Sequence, residues 1–296
     1  MKQVAVAPDN SRAAPDRPAA VLEARGVFKV FVSRGRGGRD AMLALRDVNL
    51  EVRKGEFLSL IGPSGCGKST VLNMFAGLVQ LTEGEVLHDG RPVRGVNTRV
   101  GYITQDDNLL PWRSMLANVE LALELKGIPR DARREKALDY LVRVGLRGFE
   151  HHYPHELSGG MRKRVSIVRT LVDESVDVIL MDEPLGPLDA QTRLILQDEL
   201  QRLWHGTCRT VVFVTHDLVE AIALSDRIAI FTGAPGTIKA VREVPIPRPR
   251  DVFHIHEAPG FAETYDAIWR DLRQEIAKRE QPGGVSDAVS PNFDEG

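Results

Sequence analysis

Apolar residues along this chain fall into two kinds of pattern. Phe57–Ile61, Val178–Met181 and Val211–Thr215 are near-continuous apolar runs, the form taken by central strands of a sheet covered on both faces. Ser69–Phe75 and Leu188–Trp204 follow such runs and carry helical spacing. That order predicts a parallel sheet flanked by helices, an α/β fold. Met115–Lys126 and Asp131–Val144 both read as helices, and residues 113–156 hold no obvious strand-like run. They are expected to form a helical insert within the α/β body. Toward the end, Pro245, Pro247 and Pro249 punctuate an extended segment. A helix is then predicted from about Pro259 to Arg279, with Phe261, Tyr265, Ile268, Trp269, Leu272 and Ile276 on one stripe that packs back on its own domain.

Residues 1–20 and 281–296 are polar and proline- or glycine-bearing, and both read as disordered tails. Lys plus Arg number 39 against 41 Asp plus Glu, a formal net charge of -2. The chain therefore lacks the cationic field of a nucleic-acid binder. Two cysteines, Cys66 and Cys208, cannot build a disulfide framework and fit a reducing compartment. Neither a signal peptide's apolar core nor a bilayer-length apolar run is found, so a soluble, cytosolic chain is expected.

The chemistry starts at Gly62-Pro63-Ser64-Gly65-Cys66-Gly67-Lys68-Ser69, which matches G-x-x-x-x-G-K-[ST] between a predicted strand and a predicted helix. Glycines let backbone N–H groups curl around phosphate oxygens, and the helix start adds positive partial charge. Lys68 is placed to reach the outer phosphates and the Ser69 hydroxyl to ligate Mg²⁺. Val178–Glu183 supplies the counterpart, a buried strand ending in two acids. Asp182 is expected to hold Mg²⁺ through water, and Glu183 to orient or deprotonate an attacking water. The chain is thus predicted to bind a nucleoside triphosphate.

Leu157-Ser158-Gly159-Gly160-Met161-Arg162 adds a second exposed helix start, with Ser158, Gly159 and Gly160 offering backbone donors. A second anion site on a chain that already has one points to two copies sharing each nucleotide.

With these elements in order, residues 21 to 280 resemble the nucleotide-binding subunit of ABC transporters. Gly62–Ser69 looks like its Walker A, with Thr70 next in line, Val178–Glu183 its Walker B and Leu157–Met161 its signature. Gln105 is similar to its Q-loop residue, Leu188-Asp189 to its D-loop, His216 to its switch histidine and Phe31 to the aromatic that stacks on adenine. The resemblance implies a P-loop NTPase (RecA-like) core with an antiparallel β edge, a helical subdomain over about 106–157 and a C-terminal extension over about 232–280. It implies ATP and Mg²⁺, the latter on Ser69, Gln105 and Asp182. A homodimer peripheral to the cytoplasmic face of the inner membrane is also implied, working with permease subunits and, indirectly, an extracytoplasmic solute-binding protein.

Leu109–Arg113, Tyr153–Leu157, Leu224–Arg227 and Pro247–Arg250 resemble the nitrate/sulfonate/taurine importer ATPases. Lys163 departs from a usual Gln just after the signature, which puts a nucleotide contact across the dimer in question. Pro187 departs from a usual small residue and is expected to stiffen the D-loop. Soluble ABC ATPases are the rival class. The 113–156 insert is too short for DNA-maintenance members, whereas iron–sulfur assembly is compatible with the length. A non-hydrolysing regulatory module is disfavoured by the presence of Lys68, Asp182, Glu183 and His216. Around the cradle, Cys66 lies near Lys68 and a helix start, both of which favour thiolate, although small-residue packing is the expected reason for it.

Overall fold

The computed structural model describes residues 19–35, 38–205, 207 and 209–280; residues 1–18, 281–296 and Cys208 lie outside them. In chain order the elements open with β1 (Ala20–Gly35), β2 (Gly38–Arg53), β3 (Phe57–Ile61), α1 (Lys68–Phe75), β4 (Glu83–His88), β5 (Arg91–Pro92) and β6 (Val100–Ile103). A helical stretch follows with α2 (Met115–Leu125), α3 (Arg130–Arg143) and α4 (Gly159–Leu171). The chain closes with β7 (Val178–Asp182), α5 (Ala190–His205), β8 (Thr210–Val214), α6 (Leu218–Leu224), β9 (Arg227–Phe231), β10 (Ile238–Glu243) and α7 (Phe261–Glu280).

One sheet has six strands in the order β10-β9-β3-β8-β7-β6, parallel except for the edge strand β10. Its central strands β3 and β8 are buried at every position, which is why their sequences do not alternate. Leu58, Leu60, Val212 and Val214 face one apolar cluster, shared with Val71, Leu72 and Phe75 of α1. Phe57, Ile179, Met181, Val211 and Phe213 face another, built with α2 to α5. Phe57 meets Trp204 edge-on at 5.5 Å in that second cluster. Each such buried side chain contributes about 1.5–3 kcal/mol, so the sheet centre is a firm base for the loops at its ends.

A second, antiparallel sheet, β2-β1-β4-β5, closes the first cluster with Leu22, Leu45, Val48 and Leu50. Residues 20–53 were not marked as strands by the sequence pattern. The β1–β2 register shifts at several points between Ala20 and Val30, and each shift breaks the period-2 alternation on which a strand reading rests. Ala20, placed above in the N-terminal tail, already pairs with Arg53.

The C-terminal helix packs on its own domain, as its stripe predicts. Phe261, Ile268 and Leu272 join Ile228, Ile230 and Ile222 in a third cluster, while Trp269 on the same stripe stays 40% exposed. Two of the importer-like segments turn out to bind each other. Asp226 accepts from the Phe57 amide at 2.8 Å and from Arg248 Nε at 2.8 Å. Arg250, 5% exposed, donates to the carbonyls of Ile222, Ser225 and Ile246. They fasten the extended proline segment to the turn between α6 and β9. Among the described residues, no helix is long and apolar enough to cross a membrane.

Candidate active site

Strands β3, β8, β7 and β6 are parallel neighbours, so their C-terminal ends open on one edge. That edge is where α/β sheets present ligand-binding groups. The Gly62–Ser69 loop follows β3, Asp182 and Glu183 close β7, His216 follows β8 and Gln105 follows β6. The structure therefore gathers residues spread over 155 positions of sequence.

The cradle's geometry depends on its glycines. Gly67 has φ +98°, and a Cβ there would stand 2.4 Å from Leu45 Cδ2, so no other residue fits without strain. Gly65, at φ +77°, is exposed with open space above it, room for an anion against backbone donors. Lys68, 6% exposed, donates Nζ to the carbonyls of Gly62 at 2.9 Å and Pro63 at 3.1 Å. Ser64 and Ser69 are exposed, and Thr70 is half-buried at the start of α1. Cys66 is buried beneath the loop; burial pushes its thiol up, outweighing the pull of Lys68 toward thiolate. Burial thus outweighs the nearby charge, and Cys66 packs beneath the loop as expected.

Ser69 Oγ donates to Asp182 Oδ1 at 2.9 Å, and the Tyr102 hydroxyl approaches Asp182 Oδ2 at 3.5 Å. A hydroxyl and a carboxylate set side by side below a phosphate cradle are the hard oxygen donors that Mg²⁺ takes. Burial raises the Asp182 carboxyl, with the Ser69 bond opposing that rise. Glu183 has φ +44° and donates its N–H to the Val214 carbonyl at 3.1 Å. This left-handed turn after β7 separates two consecutive acids. Asp182 faces Ser69, and Glu183 Oε2 lies 3.5 Å from His216 Nδ1. Gln105 is exposed, its Nε2 at 3.9 Å from a Cβ built on Gly186, in the turn after Glu183.

Sequence reasoning missed the residues that stand behind this edge. Tyr102 sits one strand over from Asp182 and carries no motif. Glu220, buried in α6, accepts from Gln197 at 3.1 Å and pairs with Thr215, whose Oγ1 accepts from the Asp217 amide at 3.0 Å. This network props the His216 turn from below. Arg193 donates to the Leu188 carbonyl at 3.0 Å and lies 3.6 Å from Asp217, joining the segment before α5 to the same turn. The Tyr102–Asp182, Gln197–Glu220 and Arg193–Asp217 contacts join separate elements, so no local spacing marks them.

The remaining predicted residues lie elsewhere. Ser158 caps α4 by accepting from the Met161 amide at 3.3 Å; Ser158 and Gly159 are exposed, and Gly160 faces Thr192 of α5. Asp189 caps α5, accepting from the Thr192 amide at 3.0 Å. Pro187 is exposed in the turn before it. Phe31, 37% exposed on β1, carries the Lys29 ammonium 4.7 Å from its ring centroid. Lys163, which put a cross-dimer contact in question, is bonded within its own chain. Only 4% exposed, it points into its own chain and donates to the carbonyls of Thr104 at 2.9 Å and Gln105 at 2.8 Å.

The sequence profile of ABC transporters matches residues 45–186. An uncharacterized ABC transporter ATP-binding protein of Methanocaldococcus jannaschii is 45% identical over 263 residues, 89% of this chain and 95% of that protein. The chain belongs to the ABC transporter ATP-binding family. The taurine import ATP-binding protein TauB of Yersinia pestis is 43% identical to this ABC cassette over 197 residues, 66% of the chain and 76% of TauB. Among solved structures, a dimeric ATP-binding cassette in a post-hydrolysis state bound to ADP and Pi aligns with a TM-score of 0.65. It is 34% identical, covering 75% of this chain and 98% of the other. The fold is thus that of the P-loop ABC ATPases, and membership carries ATP binding, generally with Mg²⁺.

Proposed function

We propose that this chain is the ATP-hydrolysing subunit of an importer for a small solute of the nitrate, sulfonate or taurine class. It works as a head-to-tail homodimer on the cytoplasmic face of the inner membrane, beneath permease subunits fed by an extracytoplasmic solute-binding protein. The observation that carries the hydrolytic reading is the convergence of Lys68, Ser69, Asp182, Glu183 and His216 on one sheet edge. Identity with TauB and the importer-like segments support the import reading.

In this reading the phosphates lie over Gly62–Thr70, with adenine against Phe31. Lys68 supplies a point charge to the outer phosphates. Ser69, Asp182 and Gln105 hold Mg²⁺, which neutralises phosphate charge when bound. Glu183 takes the proton of the attacking water, and His216, beside it, orients Glu183 and contacts the γ-phosphate. The partner's Ser158–Gly160 turn, with Ser158 and Gly159 exposed and Ser158 capping its own helix, closes over the same phosphates, with Asp189 lining the junction. Hydrolysis divides the shared anion and the pair reopens. Residues 106–157 carry that motion to the permease. The exposed aromatics of this insert, Trp112, Phe149 and Tyr153, suit a hydrophobic docking surface.

Purification from membranes with an associated permease, followed by measurement of sulfonate-stimulated phosphate release, tests the whole reading. Association with a soluble iron–sulfur scaffold instead, or no phosphate release with MgATP, would overturn it.

A further inference from the structure

Lys163 lies in α4 with 4% exposure, and burying an ammonium costs several kcal/mol unless it is compensated. Its compensation is specific. Nζ donates to the carbonyls of Thr104 and Gln105, the two peptide groups on either side of the Gln105 Cα. The carboxylates of Asp106 and Asp107 favour the charge, yet burial wins and pushes the amine down to about 8. Two further cations of α4 grip the same loop: Arg162 Nε donates to Asp107 Oδ2 at 2.9 Å, and Arg169 donates to Asn108 O at 2.7 Å. A cavity of about 220 Å³ lies between this clasp and the turn after Glu183, with Gln105, Lys163 and Pro187 among its walls.

Filling this space alone would favour an apolar side chain, which carries no desolvation cost. Arg162 and Arg169 already anchor the loop's far end. What Lys163 adds is control of both peptide planes flanking Gln105, which leaves that residue only its side-chain torsions. We propose that Lys163 is the positioning residue of Gln105, fixing the backbone from which the amide reaches the reacting phosphate and making that loop move with the signature helix as one body. This rests on the reading of Gln105 as a Mg²⁺ and γ-phosphate contact.

The test is steady-state MgATP hydrolysis by the full chain carrying K163M or K163Q, with E183Q alongside. K163M should lower kcat about tenfold while KM for ATP stays within about twofold, because binding is spared and alignment lost. Its half-saturating Mg²⁺ concentration should rise several-fold. K163Q, whose amide keeps two donors, should recover kcat to within about threefold of wild type. The inference is overturned if K163M matches wild type in kcat and Mg²⁺ dependence. It is equally overturned if both variants lose kcat, KM and thermal midpoint together, the pattern of a merely structural residue. Wild-type turnover in E183Q would instead remove the hydrolytic reading itself, so the two failures are distinguishable.

Discussion

Two glycine-rich turns each open a helix in this chain, and they are held in opposite ways. The Gly62–Ser69 turn is sunk into the molecule. Gly67 abuts Leu45, Lys68 is bonded to its own loop, and α1 lies in an apolar cluster shared with both sheets. Ser158 and Gly159 stand at the surface, where a Cβ built on Gly159 would meet nothing closer than an arginine tip at 3.9 Å. The first glycine set answers to this chain's own packing. The second shows no packing reason within this chain to be glycine at Gly159, where a Cβ would find room. A small residue kept where its own fold does not ask for one points to a surface that something else must approach.

The sharpest break of this contrast is chemical. E183Q should lose at least about 100-fold in kcat while keeping ATP affinity, and the ATP-bound protein should run as a dimer in size-exclusion chromatography. Next in size is the pair G67A and G159A. G67A forces a Cβ to within 2.4 Å of Leu45 Cδ2 at φ +98°, and should cost about 3 kcal/mol of unfolding free energy along with nucleotide affinity. G159A should leave the urea midpoint unchanged or slightly higher, yet abolish the ATP-driven dimer in the E183Q background. A G159A dimer as tight as its parent would show that the exposed turn does not close over a partner's nucleotide.

A smaller effect probes the buried side of the same helix. Lys163 titrates at about 8 when folded against 10.5 for an ordinary lysine. The unfolded chain therefore binds more protons between those values, and stability must rise with pH there. Wild type should gain about 2 kcal/mol over K163M between about pH 8 and about pH 10, read from urea unfolding at each pH. Smallest is S158A, which removes the cap on the Met161 amide and should cost about 1 kcal/mol.

How legible each region was follows from how local its determinants are. The phosphate turn, the Asp182–Glu183 pair and the buried strands were readable because their signals occupy adjacent positions: a fixed motif, or an apolar run on a strand covered on both faces. Strands β1 and β2 were not, since their register shifts and the left-handed Gly26 and Asp47 scramble the alternation. The fate of Lys163 was also hidden. Its partners are carbonyls 58 and 59 residues away, and backbone carbonyls carry no sequence label. For Cys66 the packing role was legible from its small size, whereas the desolvation that outweighs Lys68 was not visible in sequence.

The edge strand β10 bears on how this protein can be handled. One of its flanks pairs with β9, and α7 lies against it through Lys239, which reaches Asp271 O and Glu275, and through Arg242, which holds Asp271. A chain cut before Phe261 would bare the greasy surface of Ile228, Ile230 and Ile246 beside this edge strand. Such a surface invites end-to-end stacking of one molecule on the next. Shortened versions made for crystallisation should therefore precipitate during expression, and the last helix is best kept in every preparation.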